Sequence, residues 1–182
     1  MKRLALSLVV LAFALTSCYD HPDILRRLSD ETAALIPYQM GDTLHFLNGL
    51  DTIVYVVTSD EIGEWNGEFF INRTSKKPQM YSQMYCCARN VILTSLENDI
   101  EHLCFVITPE KTLYFLFFYY CYWLDLAHQE PEPRTVNGIT YDEVYSYEYT
   151  DSENNINEFF YYTLDEGMIA FKQGSYSLSL IP

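Results

Sequence analysis

Apolar and polar residues alternate along much of the chain from Gly41 onward, and this period of two is typical of half-buried β-strands. The first clear pair of such segments covers residues 43–47 and 50–57. Asn48 and Gly49 lie between them and tolerate the positive φ angles of a type I′ turn. The pattern therefore predicts a β-hairpin at the start of the folded domain.

A second hairpin is predicted over residues 141–164, where tyrosines alternate with polar residues on either side of a polar loop at 151–155. The expected cross-strand pairs are Tyr149 with Ile156, Tyr145 with Phe160 and Tyr141 with Leu164. One face of this hairpin would then be aromatic and the other mostly polar, which predicts that the aromatic face lines a core.

The middle of the chain is less regular. Residues 79–96 fit either a helix or a strand, and we favour a strand because residues 97–99 then form a turn into a strand over 102–107. A further turn at Pro109–Glu110 leads into residues 113–124, which are apolar on both faces. Because this run is too short to span a bilayer, we predict one central strand that is covered on both sides.

About nine or ten strands in sequential hairpins, with at most a short N-terminal helix, predict an all-β fold. The expected architecture is an antiparallel meander that forms either a sandwich or a partly open barrel. The single β domain is expected over residues 41–182, preceded by a tether and lead-in over residues 18–40.

The first residues of the chain have the organisation of a secretory signal peptide, expected over residues 1–17. Lys2 and Arg3 precede an apolar stretch, which is too short for a membrane span and ends in small residues. The segment Leu-Thr-Ser-Cys, ending at Cys18, resembles a bacterial lipobox. That resemblance implies that Cys18 carries acyl chains and anchors the mature protein in a membrane.

Five segments of the chain carry a family resemblance, at residues 36–38, 41–46, 51–55, 136–145 and 160–171. In these segments the chain resembles uncharacterised small lipoproteins of Bacteroides-type bacteria. The resemblance implies an all-β lipoprotein of the outer membrane, either periplasmic or exposed at the cell surface. It brings no catalytic motif with it.

The chain is acidic, with a net charge of −14 over 182 residues, and loss of the signal peptide would make it more acidic still. A surface of this kind repels phosphate backbones, so nucleic acid is not an expected partner. The 16 tyrosines and 11 phenylalanines are residues that strands favour, which agrees with the alternating pattern.

The sequence contains no catalytic motif and no ligand spacing typical of a metal centre, so we expect neither an enzyme nor a bound metal or cofactor. Cys86, Cys87, Cys104 and Cys121 are expected to be free, small core residues. The predicted turns put Cys104 opposite Phe115 and far from Cys121. Disulfides are the alternative if those turns are misplaced.

Aromatic residues are the remaining functional signal. Trp65 falls in a segment that the sequence predicts to be turns and a short edge strand, and Tyr119 and Trp123 fall in the apolar run. We take these three residues as candidate ligand contacts, because exposed aromatic rings on a rigid sheet bind sugars and proteins. The leading hypothesis is a non-enzymatic envelope protein that binds a protein or glycan. The alternative is a carrier of a lipid or other apolar ligand in an open barrel lined by residues 113–124.

Overall fold

A computed structural model of the chain describes residues 27–67, 84–97, 101–118, 120–153 and 156–182, with the backbone alone for residues 64–67 and 84–86. The described chain is all-β and antiparallel, and its eleven strands form one curled sheet, a half-barrel. This confirms the expected fold class, with slightly more strands than expected. The elements are α1 (Asp30–Ala33), β1 (Thr43–Asn48), β2 (Asp51–Gly67), β3 (Met84–Ser95), β4 (His102–Ile107), β5 (Thr112–Phe117), β6 (Tyr120–Asp125), β7 (Glu132–Val136), β8 (Ile139–Asp151), β9 (Ile156–Thr163), β10 (Gly167–Gln173) and β11 (Tyr176–Leu180).

Two meanders make up the sheet. Strands β1 to β6 follow one another in space, as do β7 to β11, and β1 joins the two groups by pairing with β11. The sheet curls so that edge strand β6 approaches β8, where the Tyr122 and Tyr147 rings meet with centroids 5.4 Å apart. The side-chain amide of Gln129 donates to the carbonyl oxygen of Ser146 at 2.7 Å nearby. These side-chain contacts hold β6 near β8, although the two strands are not paired by backbone hydrogen bonds.

Aromatic rings fill the inside of the half-barrel. Phe115 lies at the centre, stacked on Phe160 with ring centroids 4.6 Å apart and meeting Phe171 edge-on at 4.9 Å. All three side chains are fully buried. Each buried ring of this size contributes about 1.5–3 kcal/mol, so this layer is a main source of stability.

The lead-in to β1, residues 28–40, packs against one end of the half-barrel, which we call the plugged end. The Tyr38 hydroxyl accepts a hydrogen bond from the backbone N–H of Met168 at 2.6 Å. The Tyr162 hydroxyl donates to the carbonyl oxygen of Leu35 at 2.7 Å. Both tyrosines are buried, so the lead-in is part of the core rather than a loose tether.

A single arginine fastens this lead-in to β3. The guanidinium of Arg89 donates to the carbonyl oxygens of Ala33 at 2.8 Å, Ile36 at 2.7 Å and Tyr38. Its other N–H groups form a two-point ion pair with Asp60, at 2.7 and 2.9 Å. Since Arg89 is buried, its charge depends on these partners.

The first predicted hairpin is present, but its turn is not of the predicted type. Asn48 pairs with Asp51, so Gly49 is the first of two central residues, and it alone has a positive φ there, of 67°. This is the pattern of a type II′ turn. The type I′ pattern occurs instead between β7 and β8, where Asn137 and Gly138 both have positive φ angles.

The run 113–124 was wrongly expected to be one central strand. It forms two strands, β5 and β6, which turn at Phe118 and lie at the edge of the sheet. The prediction failed because the turn contains no glycine, proline or asparagine. Trp65 was likewise expected in turns, whereas it lies in the long strand β2 and pairs with Cys86.

The second predicted hairpin forms with its register shifted by two residues, so that Tyr149 faces Glu158 and Tyr145 faces Tyr162. A shift of two keeps each side chain on the expected face. For this reason Phe160 and Tyr162 are buried as expected.

The outer face of β3 to β6 carries a small second cluster of buried residues, Ala88, Val106 and Tyr114. Cys104 and Cys121 pack against it as free thiols, and Cys87 is free as well. Cys104 lies opposite Leu116 rather than Phe115, and Cys121 lies on the other side of Leu116, so the wide separation that the sequence predicted was wrong. Burial raises the thiol pKa to about 11 for Cys104 and about 12 for Cys121.

In the described part of the chain, no helix is long and apolar enough to cross a membrane. The predicted signal peptide and Cys18 lie outside the described residues.

Candidate functional site

Five hairpin connections meet at the end of the half-barrel opposite the plugged end, and we call this end the mouth. They join β1 to β2, β3 to β4, β5 to β6, β8 to β9 and β10 to β11. Four large apolar side chains at the mouth are exposed: Leu50 (100%), Leu96 (66%), Phe118 (58%) and Tyr120 (42%). Three different connections at the same end of the sheet supply these side chains, and we call the four of them together the apolar rim.

Phe118 is the most unusual member of this rim. Its φ angle is +52°, a left-handed conformation that costs a bulky residue free energy and that glycine or asparagine would adopt more readily. The Phe118 ring packs edge-on against Phe117 with centroids 4.5 Å apart, but more than half of its surface remains in solvent. The turn thus holds an exposed ring at the mouth in a strained backbone conformation.

An open cleft of about 600 Å³ lies at the mouth, and Tyr120 is the rim residue that lines it. Its walls come from Tyr120 at the start of β6 and from Ile156 and Glu158 on β9, and the turn between β10 and β11 closes one side. The Glu158 side chain is 4% exposed. The cleft therefore combines an aromatic ring, an aliphatic side chain and a buried carboxylate.

A carboxylate–tyrosine cluster supports the same end of the sheet. The hydroxyls of Tyr55 and Tyr176 both donate to Oε1 of Glu101, and the two hydroxyl oxygens are 2.9 Å apart. Tyr176 also stacks on Phe117 with ring centroids 4.8 Å apart. These contacts join the starts of β4 and β11 to β2, so they fix the base of the rim.

The chemistry of this cluster is that of hydrogen-bond donation. Burial is the largest cause that raises the pKa of Tyr55 and Tyr176 well above the ordinary value, and the hydrogen bonds to Glu101 raise it further. Both phenols consequently stay protonated at neutral pH and donate to the carboxylate. The cluster is suited to positioning the rim and supplies no activated nucleophile.

A second, smaller cleft of about 380 Å³ lies at the plugged end. Its lining residues are Thr43, Leu44, His45, Glu166, Leu180, Ile181 and Pro182. Its lining contains no phenylalanine, tyrosine or tryptophan and none of the exposed rim residues. The mouth is therefore the better candidate for a binding site.

The three aromatic residues proposed from the sequence do not meet at one site. Trp123 is 43% exposed on the outer face of β6, opposite Tyr114, and so faces away from the cleft. Trp65 lies in the distal part of β2, for which the backbone alone is described, and Tyr119 lies outside the described residues. Sequence reasoning missed Phe118, Tyr120 and Glu158, since nothing in the run Phe-Phe-Tyr-Tyr marks a turn.

Among the described residues, no group of three or more histidine, cysteine, aspartate or glutamate side chains is arranged to hold a metal ion. No protein-family model matches the chain, and no curated protein or solved structure matches it either. The candidate site therefore depends on the geometry alone.

Proposed function

We propose that this chain is a membrane-anchored, non-enzymatic binding module of the cell envelope, which recognises a protein or glycan partner at the mouth of its half-barrel. The observation that carries the proposal is the apolar rim. Leu50, Leu96, Phe118 and Tyr120 are exposed at one end of the sheet, at the same end as the open cleft. Exposed apolar surface of this kind marks interaction sites.

The position of the N-terminal lead-in supports this orientation. Residues 28–40 pack at the plugged end, where Lys111 in the turn between β4 and β5 pairs with Glu31 at 3.1 Å. A lipid anchor at Cys18 would hold the plugged end towards the membrane. The mouth would then point away from the membrane, where it is accessible to a partner.

The packing of the interior favours recognition at the surface over the alternative of an apolar carrier. A carrier needs an apolar cavity of about 300–1,000 Å³ inside the barrel. The rings of Phe115, Phe160 and Phe171 fill the centre of the half-barrel at centroid distances of 4.6–4.9 Å. An apolar ligand at the centre of the half-barrel would have to displace these rings, whereas a partner at the mouth would not.

Site-specific photo-crosslinking in the host tests the proposal. A photoreactive residue is placed at Leu96 in the full-length chain and, as the matched control, at Ile139, which is 41% exposed near the plugged end. We expect a discrete crosslinked species from position 96 alone, and we expect Phe118→Asn to abolish it. Equal crosslinking at both positions, or none at position 96, would contradict the proposed site.

A further inference from the structure

We infer that Asn48, at the turn between β1 and β2, is a site of spontaneous deamidation, which converts its side-chain amide into a carboxylate at the mouth of the half-barrel. The modification does not depend on what binds there. Three observations carry it: the glycine that follows Asn48, the turn that holds the two residues, and the different surroundings of another Asn-Gly pair.

Deamidation at an Asn-Gly pair proceeds through a cyclic intermediate. The backbone nitrogen of the glycine loses its proton to solvent and bonds to the side-chain carbonyl carbon of the asparagine, and the amide nitrogen leaves as ammonia. Water then opens the succinimide ring and gives either aspartate or isoaspartate. One water is consumed, one ammonia is released, and nothing is oxidised or reduced. Glycine favours the ring closure because it has no Cβ to obstruct the approach of its nitrogen.

The turn between β1 and β2 leaves both reacting groups free. The ladder ends at the pair of Asn48 and Asp51, so Gly49 lies in the turn itself. Neither the Asn48 side chain nor the N–H of Gly49 has a hydrogen-bond partner among the residues that the structure describes. Gly49 is exposed and Asn48 is half-buried, so water reaches the turn. Neither group has to break a hydrogen bond before the nitrogen approaches the amide carbon.

The Asn-Gly pair between β7 and β8 is held in place. The side-chain amide of Asn137 donates to Oγ of Ser179 at 2.9 Å and, more weakly, to the carbonyl oxygen of Leu180 at 3.5 Å. Ring closure at Asn137 would have to break both hydrogen bonds. A third Asn-Gly pair, at residues 66 and 67, lies where the backbone alone is described. The structure therefore distinguishes Asn48 from Asn137, although a glycine follows both.

Deamidation would place a second carboxylate in the β1–β2 hairpin. Asn48 lies directly opposite Asp51, and like charges in this position destabilise an antiparallel pair. An isoaspartate also lengthens the main chain by one methylene group, which disturbs a two-residue turn. Leu50, the fully exposed member of the apolar rim, belongs to that turn. Deamidation of Asn48 therefore weakens the hairpin that carries Leu50.

Timed peptide mapping of the full-length protein tests the inference. The protein is incubated at 37 °C and pH 8 in native buffer and, in parallel, in urea above its unfolding transition. Mass spectrometry then measures the fraction of amide converted to acid at each Asn-Gly pair. In the folded protein, Asn48 should react at least about fivefold faster than Asn137, which corresponds to roughly one net hydrogen bond. In urea the two rates should converge.

Three variants test the physical reasons. Ser179→Ala removes the nearer acceptor of the Asn137 amide and should accelerate the reaction at Asn137 alone. Asn48→Gln should abolish the reaction at position 48, because its longer side chain cannot close the five-membered ring. An isoaspartate methyltransferase should accordingly label the aged wild-type chain at position 48. Asn48→Asp should have a lower Tm than Asn48→Ser, which is its uncharged control.

Equal rates at Asn48 and Asn137 in the folded protein, or reaction at Asn48 in urea alone, would overturn the inference. Acid formed at position 48 without isoaspartate would overturn the succinimide route. If Ser179→Ala leaves the rate at Asn137 unchanged, the hydrogen bond does not protect that residue. Equal Tm values for Asn48→Asp and Asn48→Ser would overturn the expected weakening of the hairpin.

Discussion

Replacement of Arg89 by methionine removes the group that holds the lead-in against β3. Arg89 is 9% exposed and donates to the carbonyl oxygens of Ala33, Ile36 and Tyr38, besides its ion pair with Asp60. Methionine fills a similar volume but leaves three carbonyl groups and one carboxylate without their donor. Removal of one partner of a buried ion pair costs about 3–5 kcal/mol. For a domain of this size, that corresponds to a fall in Tm of roughly 6–20 °C.

The measurements are urea unfolding and amide hydrogen exchange. We expect the free energy of unfolding to fall by the stated amount, and the amides of Ala33 and Ala34, which α1 protects, to exchange faster. Arg89→Lys should be intermediate, because an ammonium group preserves the charge opposite Asp60 but lacks the planar fork that reaches several carbonyls. Lys111→Met is the matched control: its ion pair with Glu31 is exposed, so the loss should stay below about 1 kcal/mol. If Arg89→Met lowers the free energy of unfolding by less than about 1 kcal/mol and leaves the amide exchange unchanged, then Arg89 does not hold the lead-in against β3.

Three other predictions follow from the described geometry. Gly167→Ala should destabilise the fold by at least about 1 kcal/mol more than Gly49→Ala in urea unfolding: both glycines have positive φ angles, but only at Gly167 would a Cβ overlap the Tyr38 hydroxyl. Equal losses would show that this close approach does not matter. Phe118→Asn should change the Tm little, since relief of backbone strain offsets the lost ring contact, while binding at the mouth is abolished; a large fall in Tm would assign the ring a structural role. Burial raises the pKa of Tyr38 and Tyr162, so above about pH 10 the unfolded chain loses protons that the folded chain keeps, and the free energy of unfolding should fall by about 1.4 kcal/mol per pH unit for each of these tyrosines. A flat profile between pH 10 and 11 would contradict their burial.

The fold could be predicted because alternation of apolar and polar residues is a local signal. This signal identified the hairpin of β1 and β2 and the hairpin of β8 and β9. The predicted register of the second hairpin was wrong by two residues, but the faces were assigned correctly, because a shift of two keeps each side chain on the same face. The apolar run 113–124 was misassigned because buried residues on both faces erase the alternation. At Phe118 the turn also lacks the residues that normally mark one.

The candidate site could not be predicted, because it is built from contacts between distant parts of the chain. Tyr55, Glu101 and Tyr176 lie far apart in the sequence and meet only when β1 pairs with β11 and the sheet curls. Arg89 likewise reaches the lead-in across more than fifty residues. No spacing within a single strand signals such contacts, and the single aromatic residues chosen from the sequence therefore missed the mouth.

The two ends of the half-barrel differ in how their side chains are held. At the plugged end, Asp60 and backbone carbonyl groups accept from the buried Arg89, and the N–H of Met168 donates to the hydroxyl of the buried Tyr38. At the mouth, a bulky residue is held at a strained φ and left exposed, next to a buried carboxylate at an open cleft. Glycine or asparagine would adopt the φ angle of Phe118 at a lower cost in free energy, and under the proposed function the exposed ring contacts the partner. We expect Phe118→Asn at the mouth to leave the contacts of Arg89 and Tyr38 at the plugged end intact.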